Sequence, residues 1–191
     1  MVIIVESLCA EFGSRIWEYI KLAGYGQRFK STGTPEYYRF INPKTSEYPA
    51  MIEIFSRRIE GITLPSDAVL TPLPIDDEVS SLSAILLDDD YYDFLRTGVK
   101  VVENIPVAGA AHMIPLKIKA WIDLTERKTQ GRQIDSKSIR KHKNDILRLA
   151  TLLSPDFRLS LPDPIASDME RFLAMVDGPE RFIRVAAAYG L

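Results

Sequence analysis

Residues 115–129, PLKIKAWIDLTERKT, decide the fold class because they open a long helical region. Their apolar side chains recur every three or four positions, which predicts an amphipathic helix. The same spacing predicts three more helices, at residues 136–153, 167–177 and 179–189. A segment with three prolines, at 154–166, is the clearest linker. We therefore expect a C-terminal helical region that spans residues 108–191.

The strands are predicted upstream of this region. Met1 to Val5 are apolar and mostly β-branched, a composition typical of a strand. Two further strands, at residues 37–41 and 50–56, flank a turn that contains asparagine and proline. A last β-pair, at residues 98–107, turns at Glu103-Asn104.

Helices and loops are predicted between these strands. Ser7 is a plausible N-cap for a helix that ends at Gly24, residues 27–36 are expected to form a loop, and residues 80–87 a short helix. Strands that lead and helices that follow are typical of an α+β fold. We predict an α+β (α/β-like) architecture, with a small mixed sheet and flanking helices over residues 1–107.

The composition fits a globular protein and excludes several classes. Of the 191 residues 46% are apolar, enough to form one core. The net charge of −2 argues against a general nucleic-acid binder, since such proteins are usually strongly basic. A single cysteine, Cys9, excludes an intrachain disulfide and fits a reducing, cytoplasmic compartment. No apolar run reaches ~18 residues, so no membrane span is expected.

Lys117 is a charged residue in an apolar position. At helical spacing it lies inside the apolar arc that contains Ile118, Trp121 and Leu124. A lysine buried without a partner loses several kcal/mol in desolvation. Lys117 therefore extends to the surface, pairs with a carboxylate, or faces an anionic ligand in a cleft.

Glu53 is the corresponding acid in an apolar strand. Strand alternation places it on one face with Met51 and Phe55. A metal ligand, a buried ion pair, a sheet face open to a cleft and a solvated edge strand all explain an acid at this position.

Asp145 lies at the margin of an apolar stripe that includes His142 and Ile146. One interpretation is an ion pair with Lys141, one helical turn earlier. Further basic residues are distributed around this helix and form either a solvated surface or a phosphate-facing patch: Lys137, Arg140, Lys143 and Arg148. His142 is more easily explained as a core histidine than as a ligand, and only His112 joins it, so a multi-histidine metal site is not expected.

Asp88-Asp89-Asp90 is a third acidic feature. Clustered carboxylates suit hard cations and would allow a metal-dependent hydrolase. The same acids also suit the first turn of a helix, where they interact favourably with the helix dipole. The second interpretation is favoured, because no histidine or distant acid pair completes a metal site.

Taken together, these segments resemble the AbiEii-type nucleotidyltransferase-like proteins of the polymerase-β-like superfamily, many of which are toxins of toxin–antitoxin pairs. The resemblance covers about residues 1–153 and rests on the order of several segments. They are EFG at 11–13, WEYI at 17–20, YRF at 38–40, MIEIFSR at 51–57, SSLSAILLD at 80–88, LKIKAWIDL at 116–124 with Arg127, and KHKNDI at 141–146.

The resemblance implies a role for each unusual polar residue. Glu53 would match the third acid of a magnesium site, on a central strand. Lys117 would match the helical lysine that contacts nucleotide phosphates, with Lys141 as a further phosphate contact. Asp145 would match the acid on the following helix and would orient the lysine or the substrate.

The resemblance also implies an element that this sequence lacks. In the superfamily a Gly-Ser precedes an Asp-x-Asp pair, whose two acids hold two Mg²⁺ ions. The opening MVIIVES is similar to the strand that follows this pair, so the two acids would lie immediately before Met1. Glu53 alone cannot hold two divalent ions, because Mg²⁺ needs several oxygen ligands. We therefore expect a truncated form, or an internal start, with weak or no catalysis.

Two functions follow as expectations. A complete relative would transfer a nucleotidyl group from an NTP to an RNA or protein hydroxyl, in a Mg²⁺-dependent reaction, with an antitoxin or other protein as partner. Alternatively, the fold is a non-catalytic module that binds a phosphate-bearing ligand or a protein. A first strand without its predecessor would leave an open sheet edge, which predicts a homodimer through that edge.

Overall fold

A computed structural model of the chain describes residues 1–6, 10–29, 35–57, 70–72 and 83–191. The chain divides into two compact units, Met1–Asp89 and Asp90–Leu191. The sequence prediction placed this boundary after residue 107, whereas the structure groups residues 90–107 with the helices of the second unit. The mixed content of strands and helices confirms the predicted α+β class.

The first unit contains a mixed sheet and one helix. In chain order its elements are β1 (Val2–Val5), α1 (Ala10–Ala23), β2 (Gly26–Phe29), β3 (Pro35–Ile41), β4 (Met51–Arg57), β5 (Leu70–Pro72) and β6 (Ser83–Leu87). The first strand, the body of the helix and the two strands on either side of the Asn42-Pro43 turn agree with the sequence prediction. The predicted N-cap, Ser7, lies outside the described residues.

Strand β4 is the centre of this sheet. Glu53 of β4 pairs with Val2 of the parallel strand β1 and with Arg39 of the antiparallel strand β3, so β1 and β3 flank β4 on opposite sides. Strand β6 runs parallel to the second half of β4, where Ile85 pairs with Phe55. Among the described strands β1 pairs with β4 alone, and the predicted homodimer through its other edge stays a prediction.

Alternation along β4 determines where the core of the first unit lies. Ile52 and Ile54 point to one face and are fully buried, together with Phe40 of β3 and the apolar side of α1. Ser56 continues this buried face. The opposite face of β4 is only partly buried, and it carries Glu53.

Two sequence predictions in this unit are wrong. Residues 83–87, expected in a helix, form strand β6; residues 80–82 of that prediction lie outside the described residues. A short apolar run suits a buried strand as well as a helix, and pairing with β4 decides between them. Part of the loop expected at 27–36 belongs to strand β2, which pairs antiparallel with β3.

The second unit begins with a short helix and a hairpin and continues as a helical bundle. Its elements are α2 (Asp89–Thr97, whose first residue closes the first unit), β7 (Val99–Val102), β8 (Ile105–Ala108), α3 (Ala110–Thr129), α4 (Ser136–Ala150), α5 (Asp163–Met175), a 3₁₀ turn (Pro179–Phe182) and α6 (Ile183–Ala188). The predicted β-pair and helices are therefore present. The helix predicted from 167 begins four residues earlier, and the one predicted to reach 153 ends at 150.

Helix α3 lies at the core of the second unit and packs along α4 and α5. Its buried residues include Ile114, Ile118 and Trp121. The Trp121 ring meets Phe172 edge-on at 5.0 Å between centroids, and Phe172 meets Phe182 in the same way. These aromatic contacts connect α3 to α5 and to the 3₁₀ turn.

Helix α3 starts five residues before the predicted start at Pro115. Proline has no N–H, so the carbonyl of Ala111 loses the helical donor that residue 115 would normally supply. The hydroxyl of the buried Tyr189 donates to this carbonyl at 2.6 Å. A side chain from the end of the chain thus compensates for a proline inside the helix.

Candidate functional site

The structure brings Lys117 and Asp145 together. Lys117 lies on α3 directly before the buried Ile118, and Asp145 lies on α4 directly before the buried Ile146. Because the two helices pack against each other, Lys117 Nζ lies 3.5 Å from Asp145 Oδ2, with side chains 26% and 20% exposed. The sequence left three possibilities for Lys117: extension to the surface, pairing with a carboxylate, or contact with an anionic ligand. The structure shows the pairing with a carboxylate.

The Lys117–Asp145 ion pair is close but not tight. Charge-assisted hydrogen bonds between an ammonium and a carboxylate are typically about 2.7–2.9 Å long, shorter than the 3.5 Å observed here. An ammonium group also has three N–H donors, and one carboxylate oxygen engages only part of this capacity. The pair therefore orients the lysine and leaves hydrogen-bonding capacity for an anion.

Asp145 has different partners from the one predicted within its own helix. Its Oδ1 lies 4.0 Å from Arg148 Nη1, and its Oδ2 faces Lys117. Lys141, the predicted partner, is exposed and forms no ion pair within the described part of the chain. The Asp145 side chain is only 20% exposed and faces α3 through Oδ2. Two cations, Lys117 and Arg148, thus lie within 4.0 Å of its carboxylate.

Glu53 belongs to the first unit, whereas Lys117, Lys141 and Asp145 belong to the second. It lies on the same face of β4 as Met51 and Phe55, as predicted, and this partly buried face places it opposite Arg39 of β3. Arg39 Nε donates to Glu53 Oε1 at 2.6 Å, and Nη2 lies 2.5 Å from the same oxygen. Glu53 therefore forms a short cross-strand ion pair, one of the alternatives that its position allowed.

The described residues do not fit a two-magnesium centre. Glu53 offers a single carboxylate, and one of its oxygens is already engaged by a guanidinium. Among residues 1–6, 10–29, 35–57, 70–72 and 83–191, no group of three or more histidine, cysteine, aspartate or glutamate side chains is arranged to hold a metal. Mg²⁺ prefers six oxygen ligands, more than Glu53 and the other described residues are arranged to supply at one point.

The acidic run Asp88-Asp89-Asp90 occupies the start of α2, as favoured from the sequence. Asp89 Oδ1 accepts a hydrogen bond from Arg57 Nε at 2.6 Å. All three aspartates are exposed. An exposed helix start that includes the Arg57–Asp89 ion pair gives no support to a hydrolase centre.

Two interactions were not predicted from the sequence. Lys119 Nζ of α3 donates to Asp168 Oδ2 of α5 at 2.6 Å, and the Tyr91 hydroxyl donates to the same oxygen at 3.1 Å. Glu126 of α3 also pairs with Arg171 of α5. Two polar residues of α3 thus form ion pairs with α5, and the opposite charges on the two helices are the sequence signal that could have indicated this.

His112 occupies a confined position at the start of α3. Its Nε2 lies 3.2 Å from Thr97 Oγ1, and its ring lies 4.7 Å from the Phe94 ring. Burial lowers the pKa of His112 below its usual 6.5, and the charge of Lys100 acts in the same direction. Gly98 is required beside this ring, because a Cβ at that position would collide with it.

Comparison with known proteins adds no family to these observations. No protein-family model, curated protein or solved structure matches this chain significantly. None of the helices in the described parts of the chain is both long and apolar enough to span a membrane.

Proposed function

We propose that this chain is a nucleotidyltransferase-like protein, related to toxin–antitoxin nucleotidyltransferases, that binds the phosphates of an NTP at Lys117. The Lys117–Asp145 ion pair carries the proposal. It joins two of the residues that the family resemblance assigns to one site, although they are 28 positions apart in the chain.

The local charge supports a polyanionic ligand. Asp145 is within 4.0 Å of two cations, Lys117 and Arg148, and the exposed Lys141 lies one turn earlier on α4. A triphosphate offers many acceptor oxygens and would use the donors that Asp145 leaves available. In this arrangement Lys117 contacts phosphate oxygens, Asp145 holds the ammonium in position, and Lys141 adds a second contact.

Catalysis by the described residues is expected to be weak or absent. Nucleotidyl transfer in this superfamily depends on metal ions that neutralise the phosphate charge and activate the attacking hydroxyl. Glu53 is paired with Arg39, and in the described part of the chain it belongs to no group of three or more side chains that could hold a metal ion. A complete relative would transfer a nucleotidyl group to an RNA or protein hydroxyl; this chain would bind the nucleotide without that step.

A non-catalytic binding module is the second candidate, and the same Glu53–Arg39 pair favours it. In that function a phosphate-bearing ligand or a protein such as an antitoxin occupies the site, and binding is independent of Mg²⁺.

We also propose a cytoplasmic location, because a chain with the single cysteine Cys9 needs no oxidising compartment for its fold.

Isothermal titration with ATP, CTP, GTP and UTP, each with and without Mg²⁺, tests the proposal. We expect binding of at least one nucleotide and its loss in Lys117→Ala. Lys119→Ala is the matched control, because it removes a lysine from the same helix that also pairs with an aspartate. Equal loss in both variants, or no binding by the wild-type chain, would contradict the proposal.

The response to Mg²⁺ separates the two candidates. Binding that strengthens with Mg²⁺ and weakens in Glu53→Gln indicates a residual nucleotidyltransferase site. Binding that ignores Mg²⁺ and survives Glu53→Gln indicates the non-catalytic module.

A further inference from the structure

The region around α4 concentrates positive charge in a chain that is slightly acidic overall. Residues 127–148 contain eight lysines and arginines against two aspartates, a local net charge of +6, while the whole chain carries −2. The overall charge, which argued against a nucleic-acid binder, therefore conceals a strongly basic segment.

The exposed cations of α4 form a continuous stripe. Lys137, Lys141 and Arg148 recur at intervals of one or two turns and lie within about 40° of one another around the helix, with Arg140 beside them. All four are exposed, and the only other residue in this arc is the uncharged Asn144. We call these four side chains the α4 cationic stripe.

Neighbouring acids do not neutralise this stripe. Lys137, Arg140 and Lys141 form no ion pair within the residues that the structure describes, and Arg148 has only the 4.0 Å contact with Asp145. Asp135, the other acid of the segment, uses its side chain to accept a hydrogen bond from the backbone N–H of Lys137 at the helix start. Most of the positive charge is thus directed to solvent.

We propose that the α4 cationic stripe binds the phosphodiester backbone of a nucleic acid. From Lys137 to Arg148 the helix rises by about 16 Å, at roughly 1.5 Å per residue. A duplex strand carries one phosphate per ~3.4 Å of axis, so the stripe spans about five phosphates. The spacing and the single sign of its charges suit a regular polyanion, and backbone contacts of this kind are independent of base sequence.

A membrane surface is a poorer fit for the same charges. A helix that lies on a membrane inserts an apolar face beneath its basic residues. The apolar face of α4 is already used in the protein core, where Ile146 and Ala150 are buried. The exposed face of the helix offers no apolar side chain between Lys137 and Arg148.

The stripe shares Lys141 with the proposed nucleotide site, whereas Lys137 and Arg140 belong to the stripe alone. The stripe variant Lys137→Ala/Arg140→Ala retains Lys117, Lys141 and Arg148, so its NTP binding can be measured separately. The matched control is Arg181→Ala/Arg184→Ala, which removes the same charge from exposed positions in the 3₁₀ turn and in α6.

The test is the salt dependence of binding to fluorescein-labelled 20-base-pair duplexes of DNA and of RNA, followed by anisotropy. Four phosphate contacts to a DNA duplex predict a slope of log Kobs against log salt of about −3.6, and the two contacts that remain in the stripe variant predict about −1.8. We expect the stripe variant to lose binding on the order of tenfold at low salt, and the control variant to keep the wild-type slope. Preference for one of the two oligomers would identify the backbone that is recognised.

Three outcomes would overturn the proposal: no binding of either oligomer, a wild-type slope in the stripe variant, or an equal loss of binding in the control. Binding to phosphatidylserine vesicles but not to the oligomers would assign the stripe to a membrane. A Lys137→Arg/Lys141→Arg variant, which preserves the charge, is expected to bind like wild type and guards against effects of misfolding.

Discussion

Lys117 Nζ of helix α3 lies 3.5 Å from Asp145 Oδ2 of helix α4, and this contact is looser than the 2.6 Å contact between Lys119 and Asp168 two residues further along α3. Two lysines on one helix thus have an aspartate partner at different separations. This difference suits two different roles. The short Lys119–Asp168 pair suits the packing of α3 against α5, and the longer Lys117–Asp145 pair leaves its lysine able to turn toward a ligand.

The first prediction concerns the energies of these two pairs. A double-mutant cycle with Lys117→Ala and Asp145→Ala should give a coupling free energy of about 1 kcal/mol or less, as expected for a partly exposed pair. The Lys119 and Asp168 cycle should give a larger value, because the contact is shorter and Tyr91 donates to the same carboxylate. Urea denaturation of each variant measures both. A stronger coupling at Lys117 than at Lys119 would assign Lys117 to packing and weaken the proposed function.

The second prediction separates the structural role of Glu53 from a metal role. Glu53→Gln removes the negative charge that the partly buried Arg39 guanidinium contacts on β4. We expect a loss of unfolding free energy of about 1–3 kcal/mol. Urea denaturation measures this loss, with the exposed Glu47→Gln as the control.

Titration with Mg²⁺ completes this test. We expect the wild-type chain and Glu53→Gln to show the same heat of Mg²⁺ addition, because the described residues do not form a metal centre. A magnesium-binding isotherm that disappears only in Glu53→Gln would restore the metal role that the family resemblance implies.

For Glu53, Lys117 and Asp145, the sequence predicted the position of each residue on its own helix or strand. It did not predict which residues they would pair with. Period-two alternation placed Glu53 on one face of its strand with Met51 and Phe55, and helical spacing placed Lys117 inside the apolar arc of its helix. In the structure Glu53 lies on a partly buried face, and Lys117 directly precedes the buried Ile118. The partners come from other elements of the fold: Arg39 of β3 pairs with Glu53, and Asp145 of α4 pairs with Lys117. Spacing within one element contains no information about which element packs against it.

The fold shows the same limit at segment 83–87. Its apolar residues suit a helix or a strand, and only the parallel pairing with β4 selects the strand. Long amphipathic helices were easier to predict, because fifteen or more residues repeat one pattern. The division of the chain at Asp89 was not predicted either, since packing of the 90–107 segment with the helices is a tertiary property.

The third prediction tests the compensation for Pro115 inside α3. Tyr189→Phe removes the donor to the Ala111 carbonyl and leaves a buried acceptor unsatisfied, which should cost about 1–3 kcal/mol of unfolding free energy. In a Pro115→Ala background residue 115 regains an N–H that can bond the same carbonyl, so Tyr189→Phe should cost less. Thermal or urea unfolding of the four chains gives the comparison. Equal costs in the two backgrounds would show that the hydroxyl does not replace the missing helical donor.

The fourth prediction concerns pH and His112. Burial and Lys100 hold the pKa of His112 below its usual 6.5, so the unfolded chain binds a proton more readily than the folded chain. The stability that this neutral histidine contributes is therefore complete above pH 6.5 and is lost as the pH falls from 6.5 through the lower, folded-state pKa. His112→Asn should be less stable at pH 7.5 but should lose less stability than wild type between pH 7.5 and 5. Urea denaturation across this range provides the measurement, with the carboxylates common to both chains as an internal reference. Parallel pH profiles for the two proteins would show that the confined position of His112, between Thr97 and the Phe94 ring, does not control its protonation.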